Sequence, residues 1–125
     1  MSIYLDTHVL VWLYQGEIGR LGAGARRAID ANDLLASPAA VLELELLHEI
    51  GRLNPTATKL TGELAGSVGL RICELPFWTV VIVSLKEKWG RDPFDRLIVA
   101  NAKAAGALLV TKDQRIHQHY SNAVW

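Results

Sequence analysis

Five short apolar runs recur along the chain, separated by helix-forming stretches, and this alternation most narrows the folds open to it. Ile3-Tyr4-Leu5, which ends at Asp6-Thr7, reads as a buried strand, and so do Leu34 to Ala36, Leu70 to Cys73 and Ala107 to Thr111. Ala123 to Trp125 reads as a last edge strand. Short apolar strands alternating with helices indicate a parallel sheet covered on both faces, an α/β architecture.

Capping chemistry marks the helices. Val9 to Tyr14 forms a short helix closed by Gly16 and Gly19, and residues 22–31 form another. Ser37-Pro38 supplies an N-cap followed by proline at the first helical position, opening a helix that runs to Gly51. A further helix fills 56–66. Residues 76–88 are assigned to helix despite the β-branched run from Thr79 to Val83. Asp92-Pro93 repeats the cap pattern, with Asp95 three residues after the cap, and its helix runs to Ala105 and stops at Gly106. A short helix over 113–119 completes the set.

At 125 residues the chain fits one domain, residues 1–125. Half of it is apolar and 21% is charged, a globular composition. No apolar run approaches the roughly 18 residues of a membrane span. The N-terminus has no basic stretch and small-residue cleavage site of the secretory kind. Cys73 is the single cysteine, which excludes a disulfide framework and a Cys-rich zinc site. The expected location is the cytoplasm, without membrane contact. Formal net charge is zero, unlike the clear basic excess of proteins that grip many phosphates. The charges are nevertheless uneven: three arginines face seven acids before residue 51, and ten bases face six acids after it.

Four carboxylates stand where folding alone gives little reason for them. At 100° per residue, Leu46, Leu47 and Ile50 lie within about 60° of Glu43. Glu43 is therefore expected in an apolar stripe facing the core, opposite the solvated face of Glu45, His48, Glu49 and Arg52. Asp95 shares its face with Ile98, Val99 and Ala102. Asp6 and Asp113 follow two strands at their carboxyl ends, the edge where ligands bind in open α/β sheets. A cluster of Asp6, Glu43, Asp95 and Asp113 would repel itself unless a cation filled it, and oxygen-only ligands select a hard ion, Mg²⁺ or Mn²⁺.

Each acid also has a plainer reading. Asp92 fits a helix cap better than a ligand, and Asp95 suits the positive end of its helix. Asp6 and Asp113 fit turns or caps, and Glu43 could pair with a buried arginine. His8, His48, His117 and His119 show no metal-ligand spacing, with the last two expected at the surface. Trp12, Trp78, Trp89 and Trp125 are expected to be packing anchors. Gly62, Gly66 and Gly69 follow no strand and make no phosphate loop.

Four segments carry a resemblance: MSIYLDTHVLVWL at Met1 to Leu13, SPAAVLELELLHEIGRL at Ser37 to Leu53, DPFDRLIVANA at Asp92 to Ala102, and LVTKD at Leu109 to Asp113. Together, in order and at ordinary spacing over nearly the whole chain, they resemble the PIN-domain family, and within it the VapC toxins of type II toxin–antitoxin pairs. That resemblance implies a three-layer α/β/α fold around a parallel sheet and a Mg²⁺- or Mn²⁺-dependent ribonuclease acting on RNA. It also implies a homodimer inhibited by a VapB-type antitoxin. The family's four acids map onto Asp6, Glu43, Asp95 and Asp113, with Asp92 as an outer fifth carboxylate. Leu42 stands where many relatives have Trp, and Leu47 where many have Lys.

Such acids permit metal-assisted phosphodiester hydrolysis, with Asp6 as the central ligand and Thr7 and Thr111 as candidates to orient carboxylates or water. Two alternatives stay open. One is a catalytically silent PIN-like interaction module, disfavoured by the complete set of four acids. The other is a metal-dependent phosphatase or phospho-acceptor domain, for which Lys112 would be the cation. Strand alternation predicts that Lys112 points away from the site if Asp113 points into it.

Overall fold

β1 (Ser2–Leu5) is the middle strand of the sheet, and Ile3, Tyr4 and Leu5 are each exposed by 1% or less. The structure, a computed structural model, describes residues 1–125. After β1 come α1 (Thr7–Gln15), a 3₁₀ turn (Ile18–Arg20), α2 (Ala23–Ala31), β2 (Asp33–Ala36), α3 (Pro38–Glu49) and α4 (Ala57–Val68). The second half supplies β3 (Arg71–Ile72), α5 (Phe77–Ser84), α6 (Pro93–Ala105), β4 (Leu109–Val110), α7 (Gln114–His119) and β5 (Ala123–Val124). No helix is long and apolar enough to cross a membrane.

The five strands are all parallel, in the order β3-β2-β1-β4-β5. The chain steps outward from β1 to β3, then returns to the far side of β1 at β4. Right-handed crossovers in opposite directions place their helices on opposite faces, so the sheet lies between two helical layers. α1 packs on α3 and α4, α5 packs on α6, and α3 also reaches α6. The reversal falls between β1 and β4, which pair through Tyr4–Leu109 and Leu5–Val110. Their carboxyl ends flank the crevice where doubly wound sheets place ligands.

The caps expected from sequence are in place. The Ser37 side chain accepts from the Ala39 amide at 3.1 Å ahead of Pro38, and Asp92 caps α6 ahead of Pro93. Gly16 and Gly106 close α1 and α6 in the left-handed conformation, at φ 71° and 63°. The β-branched run is helical, because α5 lies along α6 and tertiary packing overrides its strand preference. α5 ends at Ser84, short of the expected 88. The Arg96 guanidinium takes the Ser84 carbonyl (Nε 3.3 Å, Nη2 2.8 Å), and Glu87 turns inward to Lys103 (2.8 Å) and the Trp89 indole N–H (2.6 Å).

Two expectations require correction. The buried face of α3 carries Ala40 and Leu44, whereas Leu46 and Ile50 are 39% and 65% exposed. The helix is rotated so that Leu42, Leu46 and Ile50 form an outward strip, and Glu43 lies half-buried at its border rather than in the core stripe. Trp78 is 67% exposed and anchors nothing, while Trp12, Trp89 and Trp125 pack against the core. A polar knot inside the core also escaped the sequence reading. The Tyr4 hydroxyl donates to Cys73 Sγ at 2.8 Å, and Asn101 Nδ2 donates to the same sulfur at 3.1 Å and to the Tyr4 oxygen at 3.3 Å. It ties β1 to α6 and to the segment after β3.

Trp125 lies directly on the start of α2. A Cβ on Gly24 would stand 2.5 Å from its carbonyl oxygen, and one on Gly22 would stand 2.7 Å from its carbonyl carbon. Alanine ordinarily improves a helix interior by about 1 kcal/mol over glycine, but overpacking costs about 1–3 kcal/mol. Gly24→Ala is therefore expected to lose about 1–2 kcal/mol in urea unfolding. Gly62→Ala in α4, whose Cβ would meet nothing within 4 Å, is expected to gain about 0.5–1 kcal/mol. Equal effects at the two positions would refute the packing of Trp125 on α2.

Candidate active site

Asp6 leaves β1 in extended conformation and begins α1 as its N-cap. One carboxylate oxygen accepts from the Thr7 amide at 2.8 Å, and the other from the Thr111 hydroxyl, just past β4, at 2.6 Å. The Thr111 oxygen in turn accepts from the Asp113 amide at 3.1 Å. The Thr7 hydroxyl donates to Glu43 Oε1 on α3. Both threonines are fully buried, so each fixes a carboxylate from beneath the site, the orienting role their positions suggested. The remaining acids sit at helix starts. Asp92 accepts from the amides of Phe94 (2.8 Å) and Asp95 (3.3 Å), and Asp113 accepts from those of Arg115 (2.8 Å) and Ile116 (3.3 Å). The capping readings of Asp6, Asp92 and Asp113 thus describe real bonds. They do not remove these acids from the site.

Asp6, Glu43, Asp92, Asp95 and Asp113 all line one open cavity of about 510 Å³ at the carboxyl edge of the sheet. Five acids on four separate segments therefore face the same space. Their mutual repulsion appears in the proton affinities. Asp95 is pushed up to about 7, first by burial and then by Asp92, Asp6, Asp113 and Glu43, with nothing opposing. Burial also raises Asp6 and Glu43. For Asp6 the bonds from Thr111 and Thr7 and the charge of His8 pull back, while Asp113 adds to the rise. For Glu43 the Thr7 bond and His8 pull back against Asp6 and Asp92.

The donor set consists of carboxylate oxygens with few positive partners, which suits a hard divalent cation. As the side chains stand, no three His, Cys, Asp or Glu groups close on one point as metal ligands would. A cation would have to draw them together. Asp92 and Asp113 each use a single oxygen for the cap and keep the second for that purpose.

Four further residues complete the cavity wall: His8, Val9, Trp12 and Lys112. Lys112 lines the cavity together with Asp113, contrary to the expectation that the two would diverge. β4 ends at Val110, so residues 111–113 lie beyond the pleat and alternation no longer governs them. His8 and Trp12, four apart on α1, share one side of the helix beside Asp6. That spacing was visible in the sequence, but an apolar neighbourhood around Trp12 read more simply as core.

The PIN domain family model matches residues 3–122. The chain is 33% identical over 124 residues to Ribonuclease VapC22 of Mycobacterium tuberculosis (strain ATCC 25618 / H37Rv), covering 94% of this chain and 92% of that protein. Among solved structures, VapBC2 from Rickettsia felis bound to a DNA fragment from their promoter has a similar fold. It aligns at a TM-score of 0.67 and 15% identity over 99% of this chain and 96% of the other. A toxin–antitoxin complex from Klebsiella pneumoniae aligns at 0.66 and 16% identity over 99% and 97%. A family match over nearly the whole length, on a sheet that gathers five acids at its reversal point, shows that the chain belongs to the PIN domain family.

Proposed function

We propose that the chain is a metal-dependent endoribonuclease, a single PIN-like nuclease domain over residues 1–125, serving as the toxin of a toxin–antitoxin pair. The observation that carries this reading is the gathering of Asp6, Glu43, Asp92, Asp95 and Asp113 on one cavity, with Asp95 raised to about 7 by burial and the other four. The likeness to Ribonuclease VapC22 supports RNA as substrate, and the likeness to toxin–antitoxin complexes supports a VapB-type antitoxin as partner.

Asp6, Glu43, Asp95 and Asp113 would hold Mg²⁺ or Mn²⁺, with Asp92 as the outer carboxylate. A divalent ion held by these acids would supply Lewis-acid chemistry for phosphodiester hydrolysis. The protein's own contribution is orientation. Thr7 and Thr111 hold Glu43 and Asp6 in fixed rotamers, and the helix starts behind Asp92 and Asp113 hold those acids in place. Lys112 sets a positive charge on the cavity wall, beside the acids, that would attract a phosphodiester.

A homodimer accounts for the apolar surface. Leu42, Leu46 and Ile50 on α3 and Phe77, Trp78 and Ile82 on α5 are all more than a third exposed, and Leu42 and Phe77 meet across a cavity of about 280 Å³. Contiguous apolar patches of this kind mark contact surfaces, and two copies of one patch bury each other about a twofold axis.

Three measurements test these readings. Asp6→Asn retains the cap on α1 but removes the charge, so cleavage of total RNA with Mg²⁺ or Mn²⁺ should fall roughly 100-fold or more with the fold intact. Wild-type cleavage that survives EDTA, or an Asp6→Asn variant that cuts normally, rules the site out. Between about pH 4 and about pH 7 the folded chain binds a proton at Asp95 that the unfolded chain has lost. Without metal, stability should therefore fall as pH rises through that window and level off above it. Mg²⁺ must displace that proton, so its gain in melting temperature should be larger at about pH 8 than at about pH 5.5. Asp95→Asn should flatten the metal-free slope, and an unchanged slope refutes the crowding of Asp95. Finally, Trp78→Glu should shift the sedimenting species to a monomer while leaving the melting of the isolated chain unaltered; a wild-type monomer at micromolar concentration refutes the dimer.

A further inference from the structure

The Trp12 indole packs against the core and also stands half-buried on the wall of the acidic cavity. Trp125 meets it nearly edge-on, at 5.9 Å between ring centroids and 61° between planes. His8 approaches at 5.9 Å and 48°. Neither contact stacks flat on the indole. What lies over the ring is charge: the Arg20 guanidinium at 5.7 Å from the centroid and the Lys112 ammonium at 5.9 Å. Both cations are on exposed side chains within cation–π reach of the ring, and the Arg20 guanidinium is also paired with Glu17 at 2.7 Å.

An acidic cavity repels a polyanion, so a nuclease built on one needs attraction at its rim. Lys112 supplies a cation on that wall, and the indole beside it supplies a flat surface. Base–aromatic stacking is tolerant of sequence, because every base has a π-face. We propose that Trp12 is the stacking platform for a nucleobase of single-stranded RNA next to the scissile phosphate. Lys112 swings from the indole face to the adjoining phosphate as the base arrives. This inference rests on the ribonuclease reading and adds the element that positions the substrate. Trp12 acts by binding, not by chemistry.

The rigidity of the platform has a visible source. Trp125 holds the indole from the side and is itself seated against Gly22 and Gly24, which have no Cβ to displace it. The platform is therefore formed before RNA arrives.

The test uses the full-length protein and a fluorescein-labelled single-stranded oligoribonucleotide. Binding is followed by polarisation in EDTA, and cleavage is followed with Mg²⁺ or Mn²⁺. Trp12→Leu should weaken binding and raise KM about tenfold with kcat little changed, whereas Trp12→Phe, which keeps a π-face, should stay within about threefold of wild type. Lys112→Gln should weaken binding and lessen its salt dependence. In parallel, single abasic sites are moved along the oligonucleotide and assayed on the wild-type protein. One position beside the cut should raise KM about tenfold, and this readout does not depend on any variant folding. Binding by Trp12→Leu equal to wild type, loss of binding in Trp12→Phe equal to that in Trp12→Leu, or an abasic series without a sensitive position would each overturn the platform. A wild-type protein that binds the oligonucleotide without cutting it contradicts the ribonuclease reading instead, and the binding comparison still decides the role of Trp12.

Discussion

The Asp6 carboxylate is held from two sides, by the amide that starts α1 and by the hydroxyl that follows β4. Those contacts join the two parallel strands between which the winding order of the sheet reverses, at the level where their hydrogen-bonded ladder ends. A carboxylate in this position is partly buried, and burial costs its charged form and raises its proton affinity. The two bonds offset part of that cost. They also fix where the charge points. Glu43, tied to Thr7 one residue further on, and Asp113, tied to Thr111, take their positions from the same junction.

The outcome is a fold that concentrates negative charge rather than dispersing it. Asp95 shows the result most clearly, because no hydrogen bond or cation lowers its proton affinity, and four neighbouring acids together with burial raise it to about 7. In the Lys103–Glu87 pair, by contrast, an acid with 3% exposure is stabilised by a lysine and an indole N–H, and its proton affinity falls. The same chain thus satisfies one buried acid fully and leaves five crowded. Structural needs account for the first arrangement and leave the second without a purpose in folding.

Much of this was legible in the sequence because local chemistry and tertiary position agreed. Ser37-Pro38 and Asp92-Pro93 set the starts of α3 and α6, the apolar runs set the strands, and the ends of those strands located Asp6 and Asp113. The phase of α6 placed Asp95 on the side of Ile98, Val99 and Ala102, which are all buried. The phase of α3 misled, since it carries leucine on two faces and only packing decides which one turns inward. Lys112 was misplaced by extending strand alternation past the last strand residue. The Tyr4–Cys73–Asn101 knot depends on residues far apart in the chain, and no local pattern announces such a meeting.

The double duty of the acids as helix caps has a consequence for how such a chain changes over generations. Asparagine caps a helix about as well as aspartate. Exchanging Asp92 or Asp113 for its amide would therefore preserve the caps of α6 and α7 and relieve part of the repulsion at Asp95. Selection for a well-folded chain alone gives no reason to keep these oxygens charged and some reason to lose them. A lineage released from the need for the activity would be free to drift to the amides without passing through an unfolded intermediate. Folding alone thus leaves the charge gathered in this one crevice unaccounted for.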